Sequence, residues 1–293
     1  MGPDGLFDAE VKQLRDQLAA KYLTGQGIEI GALNFPIAIP PGAQVTYVDY
    51  LPADKLRADH LQLAEEGFVE PDVVDDGEKL ATFADGSVDF VVANHFIEHA
   101  EDPVATIATH LRVLRPNGVL FLTVPDKRLT FDRERATTSV EHLRRDHREG
   151  PEGSRAEHYR EWARSVDMED PPPEGVEKMA TGFSIHFHTW TPTSFVEFLA
   201  YARREEGLEF EIERVEVSRA EFIVILRKPM ELRLDPLETA AELSALRREH
   251  AWLDMRLSSI TGTRRHRLGQ RLDAIQAPLR RLSQRLKHLI RRA

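Results

Sequence analysis

The chain has 293 residues, 41% hydrophobic and 30% charged, enough apolar content for one large α/β domain or two smaller ones. It has no cysteine, which excludes disulfides, thiolate metal sites and a cysteine nucleophile. The net charge of −10 hides an asymmetry: residues 261–293 hold ten Lys/Arg against Asp273 alone, and subtracting that +9 leaves −19 for the rest. The acidic part should repel nucleic acid, so none is expected as a partner, while the tail should seek anionic surfaces.

The first residues carry acids and no apolar run, and no stretch of eighteen apolar residues occurs anywhere. The expectation is a cytoplasmic protein, peripheral at the inner face of a membrane at most. Val11, Leu14, Leu18 and Tyr22 are spaced for a helix over 8–23. Short apolar runs follow at Gly27–Ile30, Val45–Val48, Val73–Val74, Val88–Ala93 and Val119–Val124, with helical patterns at Ala53–Glu66 and Pro103–Leu114. This alternation predicts βαβ crossovers and a doubly wound, Rossmann-like, mostly parallel sheet.

From Arg128 to Thr181 the sequence turns polar and includes Asp170–Pro173, which no regular element absorbs. It reads as an inserted cap or acceptor region, about 128–185, within a domain spanning 1–230. A helix at Thr193–Glu205 and strands at Phe210–Val217 and Glu221–Arg227 would complete the sheet with an antiparallel edge. Beyond Pro229 and Pro236, leucines at alternating steps of three and four predict a basic helical tail over 231–293 with short heptad seams. That tail suits homo-oligomer formation, attachment to an anionic membrane, or folding back on the acidic domain.

The chemistry gathers at strand ends. In Gly27-Ile-Glu-Ile-Gly31 a strand delivers Glu29 and then a turn at Gly31, where a ligand backbone can come close because no Cβ intrudes. Asp49 ends the next strand, placed to accept ribose hydroxyls. Asp75, Asp76 and Gly77 follow the third strand, and Asn94, His95 and Phe96 follow the fourth.

These motifs, with Asp89–His99 and Leu114-Arg-Pro-Asn-Gly118 in the same order, resemble the class I S-adenosylmethionine-dependent methyltransferase superfamily. The resemblance implies a seven-stranded sheet and S-adenosyl-L-methionine as cofactor, leaving as S-adenosyl-L-homocysteine. It assigns Glu29, Gly31, Ala32, Asn34, Asp49, Asp75, Asp76, Gly77, Asn94, His95 and Phe96 to the cofactor side. Ala32-Leu-Asn34 stands where the family has its second and third glycines. Residues 29–36, 89–99, 124–138 and 185–191 together further resemble a bacterial subgroup associated with cell-surface glycan biosynthesis, which implies O-methylation of a sugar hydroxyl. Methylation of a non-sugar small molecule and an inactive cofactor-binding scaffold are the alternatives.

A hydroxyl acceptor needs a base, and histidine suits the task near neutral pH. His95, His186 and His188 are the candidates; on an extended segment the last two point the same way. Asp132, Arg133, Arg135 and His142 offer hydrogen bonds to an acceptor, and Trp162 or Trp190 a face on which a sugar could stack. A divalent ion at Asp132, Asp146 or the paired histidines is conceivable, but the spacing matches no metal motif and no metal ligand is assigned.

Overall fold

The computed structural model describes residues 9–59, 68–166, 179 and 182–230. The chain divides into two units, Met1–Pro229 and Met230–Ala293. The heptad tail, the Asp170–Pro173 segment and the second half of the helix expected over Ala53–Glu66 lie outside the described residues. No helix among the described residues is long and apolar enough to cross a membrane.

Helix α1 (Ala9–Tyr22) leads into β1 (Gln26–Ile30) and β2 (Gln44–Asp49), then α2 (Ala53–Asp59), β3 (Val73–Val74) and β4 (Val88–Asn94). Helix α3 (Pro103–Val113) and β5 (Leu114–Pro125) follow. The insertion folds into α4 (Val140–Glu149) and α5 (Glu152–Val166), and the chain returns through α6 (Pro192–Arg204), β6 (Glu211–Ser218) and β7 (Glu221–Arg227). All seven strands form one sheet in the order β3-β2-β1-β4-β5-β7-β6. Neighbours from β3 to β5 run parallel, and β7 runs antiparallel to both β5 and β6.

Alternation along the central strands explains the layers. Val91 and Ala93 of β4 pack with Leu120 and Leu122 of β5 and Val224 of β7 against α3 and α6, through Val104, Ile107, Phe195 and Phe198. Phe90 and Val92 point the other way, with Phe121, Ile223 and Ile225, onto Leu18 and Ala19 of α1. A sheet covered on both faces needs strands that are apolar on both, and β5 and β7 are buried over most of their lengths.

Local chemistry sets the helix starts. Asp102 caps α3 by accepting from the Ala105 N–H, with Pro103 in the first turn. Thr191 and Ser194 form a reciprocal capping box on α6. The polar region forms two helices because α4 sets Leu143 and Val140 on the main core, while Tyr159, Trp162 and Ala163 of α5 gather with Ile185 and Phe187 into a small core. Apart from the buried Asp132, Arg135 and Asp146, most of its charges lie on the outside, so no long apolar run marks its helices in the sequence.

Gly77 sits where two core side chains converge. A Cβ there would come within 2.6 Å of Ile30 Cγ2 and 2.7 Å of Phe96 Cζ. Gly77→Ala should therefore lower the unfolding free energy by about 1–3 kcal/mol. The reading is a reduced denaturant midpoint with unchanged slope; an unshifted midpoint would show that the glycine is not a packing requirement.

Candidate active site

The sheet's connections reverse direction between β1 and β4, and the crevice at such a switch point is where doubly wound folds bind ligands. Gly31 leaves β1 into that crevice with φ +65°, and a Cβ built on it meets nothing within 4 Å. That is open space over a backbone conformation L-residues avoid. The turn is pinned by the Gly31 N–H on the Val48 carbonyl, 2.9 Å.

Glu29 braces the turn from below. It is fully buried, and its carboxylate accepts from the Ile37 N–H at 3.0 Å and from Asn94 Nδ2 at 3.2 Å. Burial raises its pKa to about 7, against the opposing effect of those donors. Ala32 is buried beside it, a packing position. Asn34 Oδ1 and Asn94 Oδ1 are buried with no hydrogen-bond partner among the described residues.

Asp49, at the end of β2, is 7% exposed and accepts from the Tyr50 N–H. Asp75 is occupied by its own loop, accepting from the Thr82 N–H and hydroxyl; burial opposes its charge, but these bonds hold it below the ordinary carboxylate range. Asp76 is the more exposed of the pair and is turned to Lys79 at 2.6 Å. The open space at Gly31, the two orphaned amide oxygens and the acid ending β2 fit a nucleoside cofactor. Gly31, Asn34, Asp49, Asp76 and Asn94 are the residues that would hold it. Glu29, Ala32, Asp75, Gly77 and Phe96 act one layer back: the first three brace or fill the loops, and the Phe96 ring closes over Gly77.

His95 is not placed as a free base. It stands at φ +49° after β4, its Nε2 is 2.7 Å from Glu221 Oε2, and its Nδ1 is 3.4 Å from Glu98. Arg15 of α1 pairs with Glu221 through both arms, the Nε arm at 2.8 Å, and its Nη2 also lies 2.7 Å from His95 Nε2. Desolvation disfavours the imidazolium, but the two carboxylates outweigh it and raise the His95 pKa. Arg15 and Glu221 carried no sequence motif; the only signals were a charge on the buried face of α1 and an acid opening an apolar strand.

The two paired histidines diverge. His186 Nδ1 lies 2.6 Å from Asp132 Oδ2, and its ring meets His99 edge-on at 4.7 Å. Asp132 is buried, and although burial opposes its charge, His186 and Arg135 hold its pKa down. The His99 Nδ1 hydrogen-bonds the Ile185 carbonyl at 2.9 Å, and burial pushes its pKa down to about 4. Glu98, 1% exposed, completes a group of three with His99 and His186 whose ligand atoms lie within 4.8 Å of one another. His188 belongs elsewhere: it is fully buried against His142 and His158, so it is no base for this crevice.

The remaining acceptor residues change role as well. Arg135 is 4% exposed and donates to Asp132 and to the His186 carbonyl, both at 2.8 Å, so it braces the His186 segment. Arg133 lies outside, paired with Glu134. Trp190, 1% exposed, stacks on Phe198 in the core, and Trp162 is buried against Phe183, so neither presents a face to a sugar. His142 sits in the His158 and His188 cluster.

A sheet in this order, with a glycine turn after β1 and an acid ending β2, is the architecture of class I S-adenosylmethionine-dependent methyltransferases. The methyltransferase domain family matches residues 24–122, so this part of the chain carries a methyltransferase domain of the class I type. It is 33% identical over 114 residues to a ubiquinone biosynthesis O-methyltransferase of Xanthomonas euvesicatoria pv. vesicatoria (39% of this chain, 47% of the relative). It is also 38% identical over 118 residues to human thiol S-methyltransferase TMT1B (39% of this chain, 46% of the relative). The chain thus spans about half the length of these relatives. A solved S-adenosylmethionine-dependent methyltransferase from Methanosarcina mazei is 22% identical, covering 72% of this chain and 96% of its own, with TM-score 0.39.

Because the His95 pKa is raised in the fold, its stabilising contribution is complete below the unfolded value of about 6.5 and is lost as pH rises through the folded value. Glu221→Gln should lower the His95 titration midpoint, followed by NMR of the imidazole. With Arg15 left without its buried partner, it should also destabilise the protein by about 3–5 kcal/mol. An unmoved midpoint would mean that Glu221 does not hold the imidazolium.

Proposed function

We propose that this protein transfers a methyl group from S-adenosyl-L-methionine to a hydroxyl of a small acceptor, with His186 as general base. The carrying observation is the 2.6 Å contact between Asp132 Oδ2 and His186 Nδ1 beside the post-β4 turn. A buried carboxylate on Nδ1 fixes the imidazole tautomer and leaves Nε2 as acceptor. When bound, the cofactor supplies an electrophilic methyl group, so no covalent enzyme intermediate is needed. His186 Nε2 takes the hydroxyl proton as the acceptor oxygen forms its bond to carbon, and Asp132 stabilises the resulting imidazolium. Gly31 and Asp49 hold the donor, while Arg135 fixes the backbone at His186 and Phe187.

Of the polar residues expected to bind a sugar, Asp132 and Arg135 are buried braces, Arg133 lies outside and His142 sits with His158 and His188, so the glycan reading is carried by the resemblance of residues 29–36, 89–99, 124–138 and 185–191. A sugar hydroxyl, a quinol like that implied by the Xanthomonas relative's name, and a thiol as in the human relative's name form the acceptor panel. One observation favours a second reading of the same residues. Asp132 and the Ile185 carbonyl hold the Nδ1 atoms of His186 and His99, turning them into ligand candidates next to Glu98, whose oxygens have no hydrogen-bond partner among the described residues. A divalent cation there would bind the acceptor oxygen itself, with His186 as ligand rather than base.

Formation of S-adenosyl-L-homocysteine with each acceptor discriminates these readings. His186→Ala should lower kcat by about 10²–10⁴ with cofactor affinity unchanged, and Asp132→Asn should lower it and shift the pH profile. Activity that a chelator leaves intact supports the base reading; activity lost to chelator and restored by a divalent ion supports the second. Full activity in His186→Ala would contradict both.

A further inference from the structure

Outside the crevice, three histidines from three different elements meet in the insertion. His142 of α4, His158 of α5 and His188, from the extended segment before α6, each place one ring nitrogen within 4.8 Å of the others. His142 Nε2 and His158 Nε2 are 2.9 Å apart, and the His158 and His188 ring centroids are 5.0 Å apart. Asp146, one turn on from His142 and 2% exposed, brings Oδ2 to 2.9 Å from His142 Nε2 and 3.8 Å from His158 Nε2.

Hydrogen bonding alone leaves His188 unsatisfied, although Asp146 Oδ2 also accepts from the Ser154 hydroxyl. His188 is fully buried; its Nε2 is engaged by the Glu101 carbonyl at 3.2 Å, and its Nδ1 is buried with no partner among the described residues. A neutral imidazole that donates from one nitrogen must carry a lone pair on the other, and a buried lone pair without a partner is costly. The His142 and His158 nitrogens facing each other share one proton at most. Burial pushes all three histidines toward the neutral form, with His158 at about 4.

We propose that His142, His158, His188 and Asp146 bind a zinc ion that fastens α4 and α5 to the segment carrying His186. Three neutral imidazoles and a carboxylate suit tetrahedral zinc, which takes such ligands at about 2.0–2.2 Å and therefore needs donors slightly over 3 Å apart. The Glu101 carbonyl on His188 Nε2 is the outer partner that a metal-binding histidine commonly has. Arg145, within 2.8 Å of His142 Nδ1 and 3.6 Å of Asp146, is the nearby cation that must move away from the ligands. A cleft bordered by His142, Asp146 and His158, with Glu149, Glu152 and Glu157 around it, gives a cation a path inward. Chain geometry then couples the ion to the crevice, since His188 is two residues from His186 and Phe187 between them is part of the insertion's core.

The test is metal analysis of the full chain purified with zinc present, then stripped with a chelator and titrated. One zinc per chain is expected, with a fall in thermal midpoint of roughly 5 °C or more on stripping and recovery on adding zinc. Cobalt in its place should give the intense absorption of a tetrahedral site. His158→Ala should lose the ion, whereas His99→Ala, which alters only the Glu98 group, should retain it. If stripped wild-type protein neither takes up zinc nor changes its thermal midpoint, the proposal is overturned, whether or not the variants fold. Zinc bound equally by wild type and a folded His158→Ala, but lost by His99→Ala, would overturn it in favour of the crevice group. None of these readings depends on methyl transfer.

Discussion

Arg15, Glu98 and Glu221 meet buried, with the partly buried His95 ring between them, and the backbone beside the crevice depends on how the four are paired. They come from α1, the turn after β4 and the first residue of β7, so their pairing joins one covering helix to two strands of the sheet. Charges taken out of water need matched partners and good geometry, and losing one partner leaves the other exposed to the full desolvation cost. Here two carboxylates face a guanidinium and an imidazole whose pKa they raise. His95 tolerates a left-handed backbone because its ring is held from both nitrogens and its N–H bonds the Thr123 carbonyl. Strained backbone of this kind persists where surrounding contacts over-determine it. Glu98, drawn into the same network, is thereby fixed beside His99 and His186.

The acceptor side follows the same logic one step outward. Asp132 and Arg135 form a buried pair beneath the 185–190 segment, and that pair, rather than contact with an acceptor, is why both residues are present. They orient His186 and leave little polar surface of their own. The groups near the strand ends are few: a glycine turn, an acid at the end of β2, two buried amide oxygens without a partner among the described residues, and one carboxylate-held imidazole. Methyl transfer asks chiefly for alignment and exclusion of water, so a small set of groups on rigid strand ends is sufficient.

Much of this was legible in the sequence because the strands announce themselves. Val73–Val74 and Glu221–Arg227 fall where the apolar runs place them, and the acids and glycines at their ends line up with the crevice. Side-chain direction was less legible. His186 and His188 obey the two-residue period of an extended chain in sequence, yet the chain's path and the packing of Phe187 send them to different clusters. Gly77 read as a backbone site for the adenine edge and is instead a packing glycine under Phe96. Arg15 and Glu221 were invisible because they are 206 residues apart and acquire meaning only when α1 crosses the sheet. Helices α4 and α5 were hidden by their charge: few apolar residues mark them, Val140 and Leu143 of α4 joining the main core and those of α5 packing on the 185–187 segment.

The claim on which the account rests is that the open space at Gly31 and the acid at Asp49 form one nucleoside pocket. Calorimetric titration of S-adenosyl-L-methionine and S-adenosyl-L-homocysteine into wild type and Asp49→Ala tests it directly. Micromolar binding, of the order of −8 kcal/mol, to wild type and its loss in a folded Asp49→Ala are the predicted results. No binding to wild type, or equal binding to both proteins, would contradict the account.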